Sequence, residues 1–137
     1  AAVAEARRRL NGTKYGEQAQ FEVCPVLELP ELDADIVFSL GLLDWLTDEE
    51  LDFLFKVSGH ADYLHAISEK RPSIAQWLHR AYVHLSYGNR TGSYVPRYYA
   101  LTWLEPLIQC HNPAAVNVFR HPKLSFGALV GSLPINS

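Results

Sequence analysis

The chain has 137 residues, 48% hydrophobic and 20% charged, the balance of a folded globule rather than a disordered tail. No apolar run approaches the ~20 residues of a membrane span, so no membrane is expected as a partner. Cys24 and Cys110 belong to no CxxC pair, which argues against a zinc ribbon or a disulfide framework and suits a reducing, cytoplasmic compartment. The net charge of −3 is unevenly laid out. Residues 1–20 carry four basic and two acidic groups, residues 21–69 one and twelve, and residues 70–137 seven and one. Five of the seven tyrosines fall between Tyr82 and Tyr99. A basic, aromatic second half suits an anionic ligand, or simply attraction between neighbouring elements. The basic residues are too dispersed for the dense stripe that nucleic-acid backbones favour.

In chain order, Val3, Ala6 and Leu10 give a helical period over Ala1–Leu10, and Asn11-Gly12 stops it. Phe21–Val23 alternates and ends at Pro25, which predicts a short strand. Ile36–Leu40 is a nearly unbroken apolar run, the pattern of a strand buried on both faces of a parallel sheet. Thr47 and Glu50 form a capping box for a helix with an apolar stripe at Leu51, Leu54 and Phe55, stopped by Ser58-Gly59. Asp62–Ser68 is a second strand. Arg71-Pro72-Ser73 opens a long helix whose stripe is Ile74, Trp77, Leu78, Ala81, Tyr82 and Leu85. Tyr87–Pro96 is a glycine-punctuated loop, long enough to serve as a lid. Thr102–Cys110 reads as a helix with Thr102 and Glu105 as a second capping box. Ala115–Phe119 and Ser125–Val130 read as an antiparallel hairpin. Alternating strands and helices imply an α/β fold with a mostly parallel sheet.

This order resembles the second half of a class I S-adenosylmethionine-dependent methyltransferase. FEVCPVLELPELDADIVFSLGLLDWLTDEEL (21–51) is similar to the family's third strand, adenine-side loop, fourth strand and the turn after it. ADYLHAISE (61–69) is similar to the fifth strand, YVPRYYALTWLEPLIQ (94–109) to the helix before the sixth, and AAVNVFRHPKLSFGALVGSLP (114–134) to the closing hairpin of strands six and seven. The resemblance implies a Rossmann-like sheet flanked by helices, with strand order 3-2-1-4-5-7-6. The family's glycine-rich loop after its first strand, and the acidic end of its second, are absent from these residues, and Cys24-Pro25 stands where many members have an acidic residue. Together with the lack of methionine at position 1, this leads to the expectation that residues 1–137 are the C-terminal part of such a domain. They would be completed by a missing N-terminal half or by a second chain that fills the sheet.

The implied activity is methyl transfer from S-adenosylmethionine to a small-molecule or glycan-like acceptor, by O-methylation. Ligands of open α/β sheets sit at the carboxyl ends of the strands. There the resemblance puts Val26, Leu40 and Gly41 against the cofactor. Asp44 is either a base or orienter of the acceptor, or a capping residue before Thr47. His79 is a second candidate acid/base group. Trp45, Tyr82, Tyr87, Tyr94, Arg97 and Tyr98 are candidate acceptor contacts, with residues 82–99 as the lid. His65 reads as a structural histidine and Glu69 as an ion-paired strand end. His60, His111 and His121 have no second ligand at a metal spacing, so no metal is expected. The alternative from another class is a methyltransferase-like domain retained for binding or scaffolding. Methylation of base amino groups is disfavoured by GLLDWL after the fourth strand.

Overall fold

The computed structural model describes residues 2–87 and 96–133. Helix α1 (Ala2–Leu10) is followed by Gly12, whose φ of +80° suits glycine and breaks the helix. Phe21–Val23 forms no strand, and Val23 is exposed. Its alternation has no neighbouring strand to pair with, and an unpaired strand leaves its backbone groups to water. A 3-10 turn at Val26–Glu28 instead lays Val26 against the core.

The sheet is built from β1 (Ile36–Leu40), β2 (Asp62–Ser68), β3 (Asn117–Phe119) and β4 (Gly127–Gly131), in the order β1-β2-β4-β3. β1 and β2 run parallel, with Ile36 opposite Asp62 and Leu40 opposite Ala66. β4 lies antiparallel to β2, Ser68 facing Gly127, and β3 lies antiparallel to β4. The fold is α/β as expected, but the sheet is mixed rather than mostly parallel.

Helices α2 (Asp48–Ser58) and α4 (Leu101–His111) bury one face of this sheet. Leu43, Leu51, Leu54, Phe55, Ile67, Tyr99, Leu104, Ile108 and Val130 form the core between them. On β2 the inward set is Tyr63, His65 and Ile67, the two-residue period of a half-buried strand. The same period contradicts the two-sided burial expected of Ile36–Leu40. β1 is an edge strand: Ser39 is buried while Phe38 and Leu40, on the other face, are 69% and 76% exposed.

Helix α3 (Ile74–Tyr87) departs further from its pattern. The apolar stripe faces outward, with Ile74, Trp77, Leu78 and Leu85 all exposed, while Gln76 and Val83 are buried. Hydrogen bonds hold the polar side of the helix against the body. The Gln76 side-chain amide donates to the Glu69 carbonyl at 2.8 Å, and its oxygen accepts from the Arg71 amide at 3.2 Å. The Gln76 amide in turn donates to Ser73 Oγ at 3.1 Å. The buried amide thus has its partners, as buried polar groups require.

The first capping box is present: Thr47 Oγ1 accepts from the Glu50 amide at 3.2 Å and the Glu50 carboxylate accepts from the Thr47 amide at 2.8 Å. The second is not. α4 begins after Ala100, with no side-chain cap, because Leu101 rather than Glu105 fixes the first turn against the core. Replacing Thr47 with alanine is expected to cost about 1 kcal/mol in urea unfolding, with the slope unchanged, whereas Thr102→Ala should have an effect within about 0.5 kcal/mol.

Candidate functional site

At the carboxyl ends of β1 and β2 lies an open cleft of about 530 Å³. Its strand side is Gly41, Asp44, Trp45 and Ser68, and its helix side is His79, Tyr82 and Val83, with Pro96 and Phe126 closing it. Five of the residues singled out in the sequence (Gly41, Asp44, Trp45, His79 and Tyr82) therefore meet at one place. A larger hollow between α1 and residues 11–21, about 1160 Å³, touches no strand end and gathers no comparable set of groups.

The strand side is rigidly built. β1 leads into Gly41, at φ +67°, a left-handed conformation that favours glycine, with open space where a side chain would be. The chain then drops Leu43 into the core, fully buried, and turns Asp44 back toward β2. Asp44 accepts from the Ser68 amide (Oδ1, 3.0 Å) and the Ser68 hydroxyl (Oδ2, 2.7 Å), and its own carbonyl accepts from the Arg97 amide at 2.8 Å. Its carboxylate thus ties two strand ends together as well as facing the cleft. Tyr99 anchors the same turn from below, its hydroxyl donating to the Leu43 carbonyl at 2.5 Å. Burial pushes the Tyr99 phenol up to about 12, so it stays a donor.

The helix side is held by Glu69, the residue after β2. Its carboxylate accepts from Arg120 at 2.8 and 2.9 Å and from Arg71 at 2.8 Å. The Arg120 guanidinium, more than that of Arg71, holds this nearly buried carboxyl below the usual carboxylate range. Above it, His79 Nδ1 and Tyr98 Oη are 2.6 Å apart, and the His79 ring lies 4.9 Å from that of Phe126.

The remaining candidates lie elsewhere. Val26 packs on the core and takes no part in the cleft. Leu40 ends β1 beside Gly41 but is not a lining residue. Arg97 donates to the Leu46 carbonyl at 2.9 Å and pairs with Asp48, so its guanidinium braces the start of α2. Tyr94 and the side chain of Tyr87 lie outside the described residues, as do residues 88–95 of the 82–99 lid. Ser68, Val83, Pro96 and Phe126 also line the cleft, though none was a candidate contact. Ser68 had one usable signal, its place at the end of a strand beside Glu69. His65 is buried, with Nδ1 3.0 Å from Ser39 Oγ and Nε2 without a partner among the described residues. Among the described residues no group of three or more metal-ligating side chains assembles, and no helix is long and apolar enough to cross a membrane. Compared with known proteins, the chain matches no family model, no curated protein and no solved structure.

Proposed function

We propose that the chain is the acceptor-side part of a Rossmann-like, class I S-adenosylmethionine-dependent methyltransferase domain, acting on an oxygen of a small-molecule or glycan-like acceptor. The observation that carries this reading is the strand order. β1-β2-β4-β3, with one parallel pairing followed by two antiparallel ones, is the arrangement expected of the family's strands 4-5-7-6. The cleft at the carboxyl ends of the parallel pair supports it, since ligands of such sheets bind there. The exposed outer edge of β1 suits a further strand, supplied by a preceding part of a longer chain or by a second chain.

Two residues fit the donor. Gly41 leaves space for close backbone approach to its methionine part, and the Asp44 carboxylate is the complement of a sulfonium cation. The bound donor supplies an activated methyl group. Transfer would place that carbon on the acceptor oxygen and leave the electron pair of the broken carbon–sulfur bond on sulfur, with the acceptor proton passing to a base or to solvent. The chain's own tasks are to align the acceptor with the methyl group and to exclude water. Trp45, Val83, Pro96 and Phe126 form apolar walls suited to both.

Calorimetric titration with S-adenosylhomocysteine tests the reading, with measurable heat expected. Asp44→Asn should weaken S-adenosylmethionine by roughly tenfold and S-adenosylhomocysteine, whose sulfur is uncharged, much less, because the carboxylate charge is lost while the amide oxygen still accepts from the Ser68 amide and the amide nitrogen can donate to the Ser68 hydroxyl. No heat with either compound, under several buffers, would sink the proposal in favour of a scaffold.

A further inference from the structure

One small cavity shares no lining residue with the cleft. It measures about 10 Å³ and lies where the end of α2, the inner face of β2 and the end of α4 meet. Phe55 and Ser58, Tyr63 and His65, and Ile108 and Asn112 stand around it. Roughly 10–15 Å³ is the room one water molecule needs. Two of these side chains end in polar atoms that no described residue serves, Tyr63 Oη and His65 Nε2. Both belong to deeply buried residues, 3% and 1% exposed, whose rings stack at 5.6 Å. The other polar groups in the wall have partners and a lone pair to spare. Ser58 Oγ donates to the Leu54 carbonyl at 2.7 Å. Asn112 Nδ2 donates to the Ala61 carbonyl at 2.9 Å, and its Oδ1 accepts from the Ala114 amide at 3.0 Å.

We propose that this cavity is a binding site for one water molecule, which joins the Tyr63 hydroxyl to His65 Nε2. The chemistry of the two atoms selects water. Burial, with the Glu105 carboxylate adding to it, pushes the Tyr63 phenol up, so its O–H stays a donor and needs an acceptor. What Nε2 needs depends on the proton shared between His65 Nδ1 and Ser39 Oγ, 3.0 Å apart. If Ser39 donates, the ring proton is on Nε2 and needs an acceptor; if Nδ1–H donates, Nε2 is bare and needs a donor. Water both accepts and donates, so it serves either tautomer. An apolar guest serves neither atom, and a cation would face the phenol hydrogen. A further bond from the water to the Ser58 or Asn112 oxygen makes about three, the usual number for an internal water. Ser39 and His65 are paired positions of β1 and β2, so the water continues a polar chain from the edge strand to the helix ends. None of this depends on the proposed methyl transfer.

Tyr63→Phe in the full chain tests this by the sign of its effect. The ring and its stacking on His65 are kept, so the variant retains its packing. If water receives the hydroxyl, the substitution loses one hydrogen bond, and the folding equilibrium constant from urea unfolding should fall about fivefold. If nothing receives it, phenylalanine relieves a buried polar group, and the constant should rise. An unchanged or raised constant overturns the proposal. A high-resolution crystal structure of the unsubstituted chain is the second measurement. One ordered water is expected within about 2.7–3.2 Å of both Tyr63 Oη and His65 Nε2. A dry cavity overturns the proposal whatever the unfolding result, as does a Tyr63 hydroxyl bonded directly to His65 Nε2.

Discussion

Replacing Leu43 with alanine is expected to lower stability by about 2–5 kcal/mol and, at a temperature where the variant remains folded, to weaken any ligand of the cleft. Leu43 is fully buried in the main cluster, and it is the residue on which the strand side of the cleft is mounted. Asp44 and Trp45 follow it in one 3-10 turn, and the Leu43 carbonyl receives the Tyr99 hydroxyl. Truncation removes the side-chain support while leaving that backbone hydrogen bond in place. The turn then has a cavity beneath it, and Asp44 loses the fixed geometry that lets Ser68 donate to both its oxygens. Leu42→Ala provides the comparison. Leu42 is the preceding residue, equally apolar, but 38% exposed, and its truncation should cost less than about 1 kcal/mol. Urea unfolding of both variants decides the matter. Equal losses would mean that the turn is held by its backbone and not by the buried leucine.

The contrast between Leu42 and Leu43 illustrates what the sequence could and could not disclose. Both stand in the run GLLDWL, and no local period separates them. Local signals worked where one interaction set the structure. The Thr47–Glu50 capping box is a contact between residues three apart, and Asp62–Ser68 is a strand with the bounds expected of it, although its buried face includes the polar His65. They failed where the arrangement involved residues far along the chain. α3 reads as an amphipathic helix with its apolar stripe inward, yet the buried side carries Gln76, bonded to Glu69 and Arg71, and the stripe is exposed. Phe21–Val23 has the alternation of a strand but nothing to pair with. The cleft divides in the same way. Gly41, Asp44 and Trp45 could be placed because a strand end in an α/β sheet is a binding position by geometry. Phe126 could not. It reaches the cleft because β4 pairs with β2 so that Gly127 faces Ser68, a register invisible in either segment alone. Arg97 illustrates the reverse error: a basic residue in an aromatic stretch reads as a ligand contact, while its charge is spent on Asp48 and the Leu46 carbonyl.

The buried imidazole of His65 gives the chain a second large expected effect, on pH dependence. His65 is 1% exposed, stacked on Tyr63 at 5.6 Å and beside Phe55. Ser39 serves its Nδ1, while Nε2 and the neighbouring Tyr63 hydroxyl are buried without a partner among the described residues. An imidazolium here would hold a charge and an extra N–H with no side chain to receive it. Burial accordingly lowers the His65 pKa from 6.5 to about 4. Between those two values the unfolded chain binds the proton and the folded chain does not. The stability associated with a neutral His65 is therefore complete above pH 6.5 and drains away as the pH falls toward 4, by about 3 kcal/mol at most. Glu69 acts in a lower window. Its folded pKa lies below the ordinary 4.5, so its contribution persists above that value and is lost as the pH falls further. Comparison with His65→Gln separates the two. Glutamine can still accept from Ser39 but does not titrate, so the variant should start less stable at neutral pH and lose little on acidification to about pH 5. Urea midpoints that stay level in the unsubstituted protein from about pH 7 to about pH 5, or that fall equally in His65→Gln, would place the acid sensitivity elsewhere in the fold.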